Sequence, residues 1–198
     1  MLTKAERTRA HILEKVAPVF NMKGYFGTSL GDITTAIGLS KGAVYGNFES
    51  KEALALAAFN YNVRKVIWPL ADKINAADSA AAKLRAITTY YRAYYQHTMP
   101  FGGCPVLNIG IDANNQNPEL TQRVQHIIQR LIDQMAALIQ AGVDAGELKA
   151  DINARNLSRR IYSMIEGSLF TSVLMQNEDH IQEMMNYIDH MIDHELIA

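Results

Sequence analysis

Residues 24–54, GYFGTSLGDITTAIGLSKGAVYGNFESKEAL, decide how the chain reads. Thr28 or Ser29 opens a short helix as its N-cap, and Gly38 closes it in the manner of a glycine just past a helix C-terminus. Ser40 caps a second short helix, and Ser50 caps a longer one. Inside the second, Gly42 and Gly46 each cost about 1 kcal/mol relative to alanine in a helix interior. A helix that keeps them answers to something other than its own stability. Two short capped helices joined by a glycine-bearing turn are the pattern of a helix-turn-helix. In that unit the second helix enters the major groove of DNA and the first crosses the backbone. The role needs small residues where helix and DNA approach, hydroxyls and N–H groups for phosphates, and long side chains for base edges. Gly42 and Ala43 are small, Lys41 is long and charged, and Tyr45 carries a hydroxyl on a rigid arm. Lys51 stands near the start of the next helix, where a phosphate can sit. Ile33, Ile37, Leu39, Val44 and Phe48 are expected to hold the core of this unit.

Working outward, the rest of the chain reads as amphipathic helices, with strand signals almost absent. A first helix is expected from about Lys4 to Met22, with Ile12, Leu13, Val16, Val19 and Phe20 at helical spacing and Pro18 as a kink site. KGYFGTS breaks it. The helix capped by Ser50 is expected to reach about Val66, where Trp68-Pro69 and ADKINAADSAAA mark a change of element. Further helices are expected from about Ser79 to Thr98 and from about Val106 onward. The clearest one carries Val124, Ile127, Ile128, Leu131, Ile132, Met135, Leu138 and Ile139 in one stripe and ends at Gly142. DAGELKADIN connects to two final helices, from about Ala154 to Met175 and from Glu178 onward. The class is all-α.

Composition excludes several alternatives. With 198 residues, 48% hydrophobic and 20% charged, the chain can bury a real core and does not read as disordered. No apolar run approaches a membrane span, and the N-terminal stretch is polar and charged, unlike a signal peptide. The single cysteine, Cys104, allows no disulfide framework within the chain. The expectation is a soluble cytoplasmic protein. The net charge of −1 conceals an asymmetry: residues 1–65 carry nine Lys or Arg against five Asp or Glu, and residues 66–198 carry ten against fifteen. A basic N-terminal third on an acidic remainder is the layout of a nucleic-acid module joined to a domain that does not bind it.

The stretch 24–54 resembles the helix-turn-helix of the TetR family of transcriptional regulators. The resemblance lies in Thr-Ser at the start of the second helix, Gly-Leu-Ser-Lys-Gly through the turn, Tyr45 and Phe48 three apart, and Lys-Glu-x-Leu after them. Length, helical layout and AGVDAGELKADIN extend it over the chain. It implies an N-terminal three-helix DNA-binding domain, residues 1–50, and a C-terminal helical ligand-binding and dimerisation domain, residues 51–198. It further implies a homodimer, in most cases a repressor, that reads a palindromic operator in double-stranded DNA and is released by a small-molecule effector. Carried onto this sequence, Thr28 and Ser29 would meet phosphate; Ser40, Lys41, Gly42 and Ala43 would face the groove; Tyr45, Asn47 and Lys51 would meet the backbone. Asn47 departs from the His or Tyr common in the family, and Thr34 and Ile37 stand where Ala is common.

The second domain offers effector-pocket candidates. TYYRAYYQH places Tyr90, Tyr91, Tyr94 and Tyr95 on neighbouring faces, and tyrosine gives a pocket apolar walls with polar tips. Ordinary packing accounts for such residues equally well. Tyr91 and Tyr95 are the candidates taken from it, with Tyr61, Trp68, Met135, Met164 and Phe170 as weaker ones. Cys104 falls near a helix start, where a thiol pKa is lowered. The resemblance admits a cysteine sensor there, and a small buried hydrophobe is the plainer reading. Asn108 and Asp112 would share its helix face and line the same cavity.

His190 and His194 stand four apart in DHMIDHE beside Asp189 and Asp193. A solvated polar face is preferred to a metal site, for want of a third ligand cluster. The stripe of Ile181, Met184, Met185, Ile188, Met191 and Ile192, with small Ser163, Gly167, Ser168 and Ser172 on the preceding helix, is expected to form the dimer interface. No cofactor is expected. Two rival readings are a helical enzyme using Cys104 with His97 as base, and a protein that coats DNA without specificity. No hydrolase, phosphate-loop or dinucleotide motif is present to favour an enzyme.

Overall fold

Thr3 starts the first helix by local chemistry: its side chain accepts from the Glu6 N–H while the Glu6 carboxylate accepts from the Thr3 N–H at 2.7 Å. In the computed structural model, which describes residues 3–198, α1 runs Lys4–Gly27. Met1 and Leu2, at the start of the expected DNA-binding domain, lie outside the described residues. The expected break after Met22 is a kink rather than an end. Gly24 is buried with φ 72°, and helix resumes beyond it. There follow α2 (Leu30–Ile37), α3 (Lys41–Tyr45) and α4 (Lys51–Asn75).

α4 runs on past Val66, through Pro69. Proline deprives only the carbonyl four residues back of its donor, and that residue, Lys65, is exposed, where water can replace the bond. Next come α5 (Ala80–Thr98), a 3-10 turn at Met99–Phe101, α6 (Pro105–Ala113), α7 (Pro118–Asp144), α8 (Ala154–Met175) and α9 (Asp179–Met191), which ends in a π turn, Ile192–Leu196. Among the described residues no strand forms beyond an isolated antiparallel bridge, Leu148 to Ile197.

The chain divides into two compact units. One takes in everything up to Val66 together with Phe101–Gln125, and the other is Ile67–Pro100 with His126–Ala198. This division differs from one at residue 50, because α6 packs on α1.

In the first unit α1 packs on α2 and α2 on α3, and Ile12, Val16 and Phe20 of α1, Ile33 and Ile37 of α2, Val44 of α3 and Phe48 are all buried. Leu39 does not join them. It follows Gly38 in the turn and is 37% exposed.

In the second unit α9 packs on α8 and α5. The α9 stripe expected at a dimer interface is largely spent inside this packing: Ile181, Met185, Ile188, Met191 and Ile192 are buried within the protomer. Asp189 accepts from Thr88 at 2.6 Å and from Arg92 at 2.7 Å, and Asp193 pairs with Arg85, so both aspartates tie α9 to α5. His190 and His194 lie outside, exposed, with ring centroids 4.3 Å apart. Among the described residues no three His, Cys, Asp or Glu converge as a metal site.

Candidate functional site

Two short helices with strong caps build the surface that the sequence singles out. Ser29 and Asp32 form a capping box at the start of α2, with the Ser29 N–H donating to the Asp32 carboxylate at 2.8 Å. The Lys23 ammonium reaches the same carboxylate at 2.5 Å. That contact, followed by those from Ser29, holds the Asp32 carboxyl well below the usual range. Gly38 ends α2 in the left-handed region, φ 65°, with its N–H on the Thr34 carbonyl at 3.0 Å. A side chain there would be strained, so the turn between α2 and α3 depends on glycine. Ser40 caps α3 by accepting from the Ala43 N–H at 3.3 Å.

Ser40, Lys41, Gly42 and Tyr45 are exposed together on α3, and Ala43 is half-buried beside them. The Lys41 ammonium lies 5.8 Å from the Tyr45 ring centroid. Gly42 has no left-handed φ, and a Cβ built on it would meet nothing nearer than the Ser40 hydroxyl at 3.7 Å. Nothing in the protein itself requires glycine there. Asn47 is half-buried, and its amide donates to the Ala43 carbonyl at 2.9 Å, so this donor is used to finish α3. The Asn47 carbonyl accepts from Arg9 at 2.6 Å, and the Arg9 guanidinium lies 4.1 Å over the Phe48 ring. Arg9 thus fastens the segment just after α3 to α1, a role its sequence context did not signal.

One expected phosphate contact needs correction, and a second residue has a further role. Thr28 is fully buried, and its hydroxyl donates to the Gly24 carbonyl at 2.6 Å, so it faces the kink in α1 rather than solvent. Ser29 beside it is exposed. Lys51 is half-buried, with its ammonium donating to the Tyr25 carbonyl at 2.6 Å and lying 4.4 Å from the Tyr25 ring. Desolvation lowers its pKa, and the nearby Asp112 carboxylate opposes the shift.

α6 also sits elsewhere than its sequence suggested. Asp112 accepts from the Tyr25 N–H at 2.6 Å, and Asn108 donates to the Asn21 carbonyl at 3.1 Å and to the Gly102 carbonyl at 2.5 Å. Asn21, a buried amide overlooked in the apolar stripe of α1, donates to the carbonyls of Phe101 and Gly103. Asn108 and Asp112 therefore bind α6 to α1, and neither is in the lining of the cavity that holds Tyr91. Cys104 stands at the N-cap of α6 as expected, but it is 5% exposed. A sensing thiol needs access, which this burial denies.

A cavity of about 490 Å³ opens in the second unit between the end of α4, α5, α7 and α8. Tyr91 and Met135 line it. Its other walls include Leu70, Ile87, Leu131 and Leu138, with Lys83 and Glu147 at one end. Trp68 and Phe170 are instead 64% and 43% exposed, and Tyr95 is half-buried outside the lining. Met164 lines a separate shallow depression on α8 and α9 with Gly167 and Tyr187. Tyr61 lies in the first unit beneath the Lys65 ammonium. Lys83 and Glu147 were missed because polar residues near helix ends read as solvated surface. Leu138 was legible only as a stripe position.

Residues 12–58 match the family described as bacterial regulatory proteins, tetR family, and residues 80–188 match the tetracyclin repressor-like C-terminal domain. The chain belongs to the TetR family of transcriptional regulators. A TetR-family transcriptional regulator from Chloroflexus aurantiacus is similar in structure, with TM-score 0.93 and 31% identity, 100% of each chain being covered. A second, from Cytophaga hutchinsonii, has TM-score 0.89 and 33% identity, covering 98% of this chain and 96% of that one. Among curated proteins, the HTH-type transcriptional repressor DhaR of Mycobacterium sp. (strain GP1) is 22% identical over 183 residues, 91% of this chain and 89% of the relative. As a TetR-family member the chain is a ligand-responsive DNA-binding regulator, with a helix-turn-helix N-terminal domain and a helical C-terminal domain. No helix among the described residues is long and apolar enough to cross a membrane.

Proposed function

We propose that this regulator is a cytoplasmic homodimeric repressor that binds a palindromic operator and leaves it when a small molecule enters the cavity of the second unit. Residues 1–50 read DNA, and residues 51–198 bind the effector and dimerise. The observation that carries the reading is the exposed face of α3, where Lys41, Gly42 and Tyr45 stand together and the fold itself does not call for Gly42. Lys41 reaches a guanine edge or a phosphate, Gly42 and Ala43 admit the backbone of DNA, and Ser29, Ser40 and Tyr45 offer hydroxyls to phosphates. Asn47 and Lys51 hold the unit together and contribute to the backbone contact from their remaining donors.

Dimerisation uses the outward face of α8 and α9. Phe170, Leu174, Met175 and Tyr187 are exposed there, and a Cβ on Gly167 would meet only open space. An apolar patch of this kind suits a two-fold contact between copies. The two α3 helices must then meet half-sites in register, so a shift in their separation on effector binding weakens the complex.

Fluorescence anisotropy on duplex DNA from beside the protein's own gene tests the reading. Salt-sensitive binding that prefers this DNA over random duplex is expected. Equal affinity for both would instead favour a protein that coats DNA. Sedimentation of Phe170→Glu tests the dimer: a shift to monomer is expected, and an unchanged sedimentation coefficient would remove this face from the interface.

A further inference from the structure

The cavity of the second unit is long and graded along its length. A Cβ on Gly142 would lie 2.4 Å from that of Ala80, so the C-terminal end of α7 rests against the N-terminal end of α5. From Ala80 to Tyr91 α5 rises about 16 Å, and the lining of α7 from Leu131 to Gly142 spans about as much. Both helices line the cavity over these stretches. The charged residues gather at the Ala80 end, where Asp78, Lys83 and Glu147 stand. The remainder of the wall carries no charge: Ile87, Leu131, Met135 and Leu138 give it carbon, and Tyr91, Gln134 and Tyr162 add neutral polar groups.

The three charged groups are not equivalent. The Glu147 carboxylate is already engaged, accepting from the Ala80 N–H at the start of α5 at 2.5 Å. Asp78 is exposed to water. Lys83 is half-buried, and its ammonium makes no hydrogen bond or ion pair among the described residues. A cation held against an apolar wall without a partner favours an anion more than one in open water does.

We infer that the cavity takes a medium-chain amphipathic acid, its apolar body lying between α5 and α7 and its carboxylate on the Lys83 ammonium. The inference rests on the reading of this cavity as the effector site and adds the chemical class of the effector. An uncharged alcohol would fill the carbon-lined part and leave Lys83 without its counterion. An amine would set a second cation beside Lys83.

Isothermal titration calorimetry of the full chain with dodecanoate, dodecanol and dodecylammonium, each below its micelle concentration, tests this. Dodecanoate should bind about tenfold more tightly than dodecanol, as a charge-assisted contact at a half-exposed site supplies. Lys83→Gln should remove that advantage and leave dodecanol affinity unchanged. Leu138→Trp, which fills the apolar body, should weaken both ligands, and circular dichroism of each variant verifies its fold. Preference for dodecylammonium, or dodecanoate binding unaffected by Lys83→Gln, would overturn the inference. Anisotropy on operator DNA run in parallel separates the two readings. Specific DNA binding with none of the three ligands bound defeats the acid alone, whereas dodecanoate binding without binding of the proposed operator defeats the repressor reading and leaves the acid site standing.

Discussion

The kink in α1 is predicted to be energetically coupled to α6 through Asp112. Gly24 has φ 72°, and a Cβ on it would sit 2.5 Å from Asp112 Oδ1 and 2.6 Å from its Cγ. Gly24→Ala must therefore move the carboxylate off the Tyr25 N–H, which it now accepts at 2.6 Å. Gly24 has ψ 175° beside φ 72°, a backbone region essentially confined to glycine, and forcing alanine into it costs about 2 kcal/mol. Losing a charged hydrogen bond at this half-buried site costs about 2 kcal/mol. The single variant should lose about 4 kcal/mol by these figures, and Asp112→Ala about 2 kcal/mol. In the double variant the carboxylate is already gone and alanine has nothing to displace. Its loss should then be about 4 kcal/mol rather than the additive 6, an interaction of about 2 kcal/mol. Urea unfolding followed by circular dichroism, at one fixed protomer concentration so that dimerisation cancels, reads all four corners of the cycle. Additive losses would refute the reasoning, because they would mean that the Gly24 backbone and the Asp112 carboxylate do not compete for the same space.

Gly42→Ala should leave stability unchanged or raise it by up to about 1 kcal/mol, since alanine favours helix, while operator affinity in anisotropy falls. A parallel loss of stability would show that the fold, not DNA, needs the glycine. Lys41→Ala should weaken operator binding by about 1–3 kcal/mol if the lysine reads a base. If it meets a phosphate instead, the salt slope should fall by about one. The Asp32 carboxyl has its pKa lowered in the folded chain, so its stabilising contribution is present above the ordinary value of about 4 and is lost as pH falls through the folded one. Carboxyl NMR titration should find it below the usual range and find it rising in Lys23→Ala. Cys104, buried at the start of α6, should react with a maleimide far more slowly in native protein than in urea, as mass spectrometry would show.

What could be read from the sequence was local chemistry. Ser29, Gly38 and Ser40 set the ends of α2 and α3 through bonds to residues three or four away, and such bonds leave a pattern in the chain. The buried positions of α2 and α3 followed from spacing, apart from Leu39, whose place in the turn carries it outward. The misplacements came from contacts between distant residues. Asn108 and Asp112 look like cavity polar groups until α6 is seen to lie on α1, with both contacts reaching 87 residues back in the chain. Thr28 reads as a cap and turns inward because Gly24 presents its carbonyl. The cavity itself was the hardest to foresee. Its walls are stripe positions like those of any core, and whether they touch or stand apart is set by the spacing of the helices.

The docking of α6 on α1 has a consequence for the order of synthesis. The helix-turn-helix leaves the ribosome before α6, yet the unit that contains it is completed only by residues 101–125. Between the two lies a segment, residues 67–100, that belongs to the other unit. The nascent helix-turn-helix therefore waits, with the faces of Asn21 and Gly24 uncovered, until α6 emerges. A fragment ending at Val66 would keep every residue of the recognition surface and still be an unfinished fold. The reader of DNA is held in shape by a helix that the chain supplies only after Cys104.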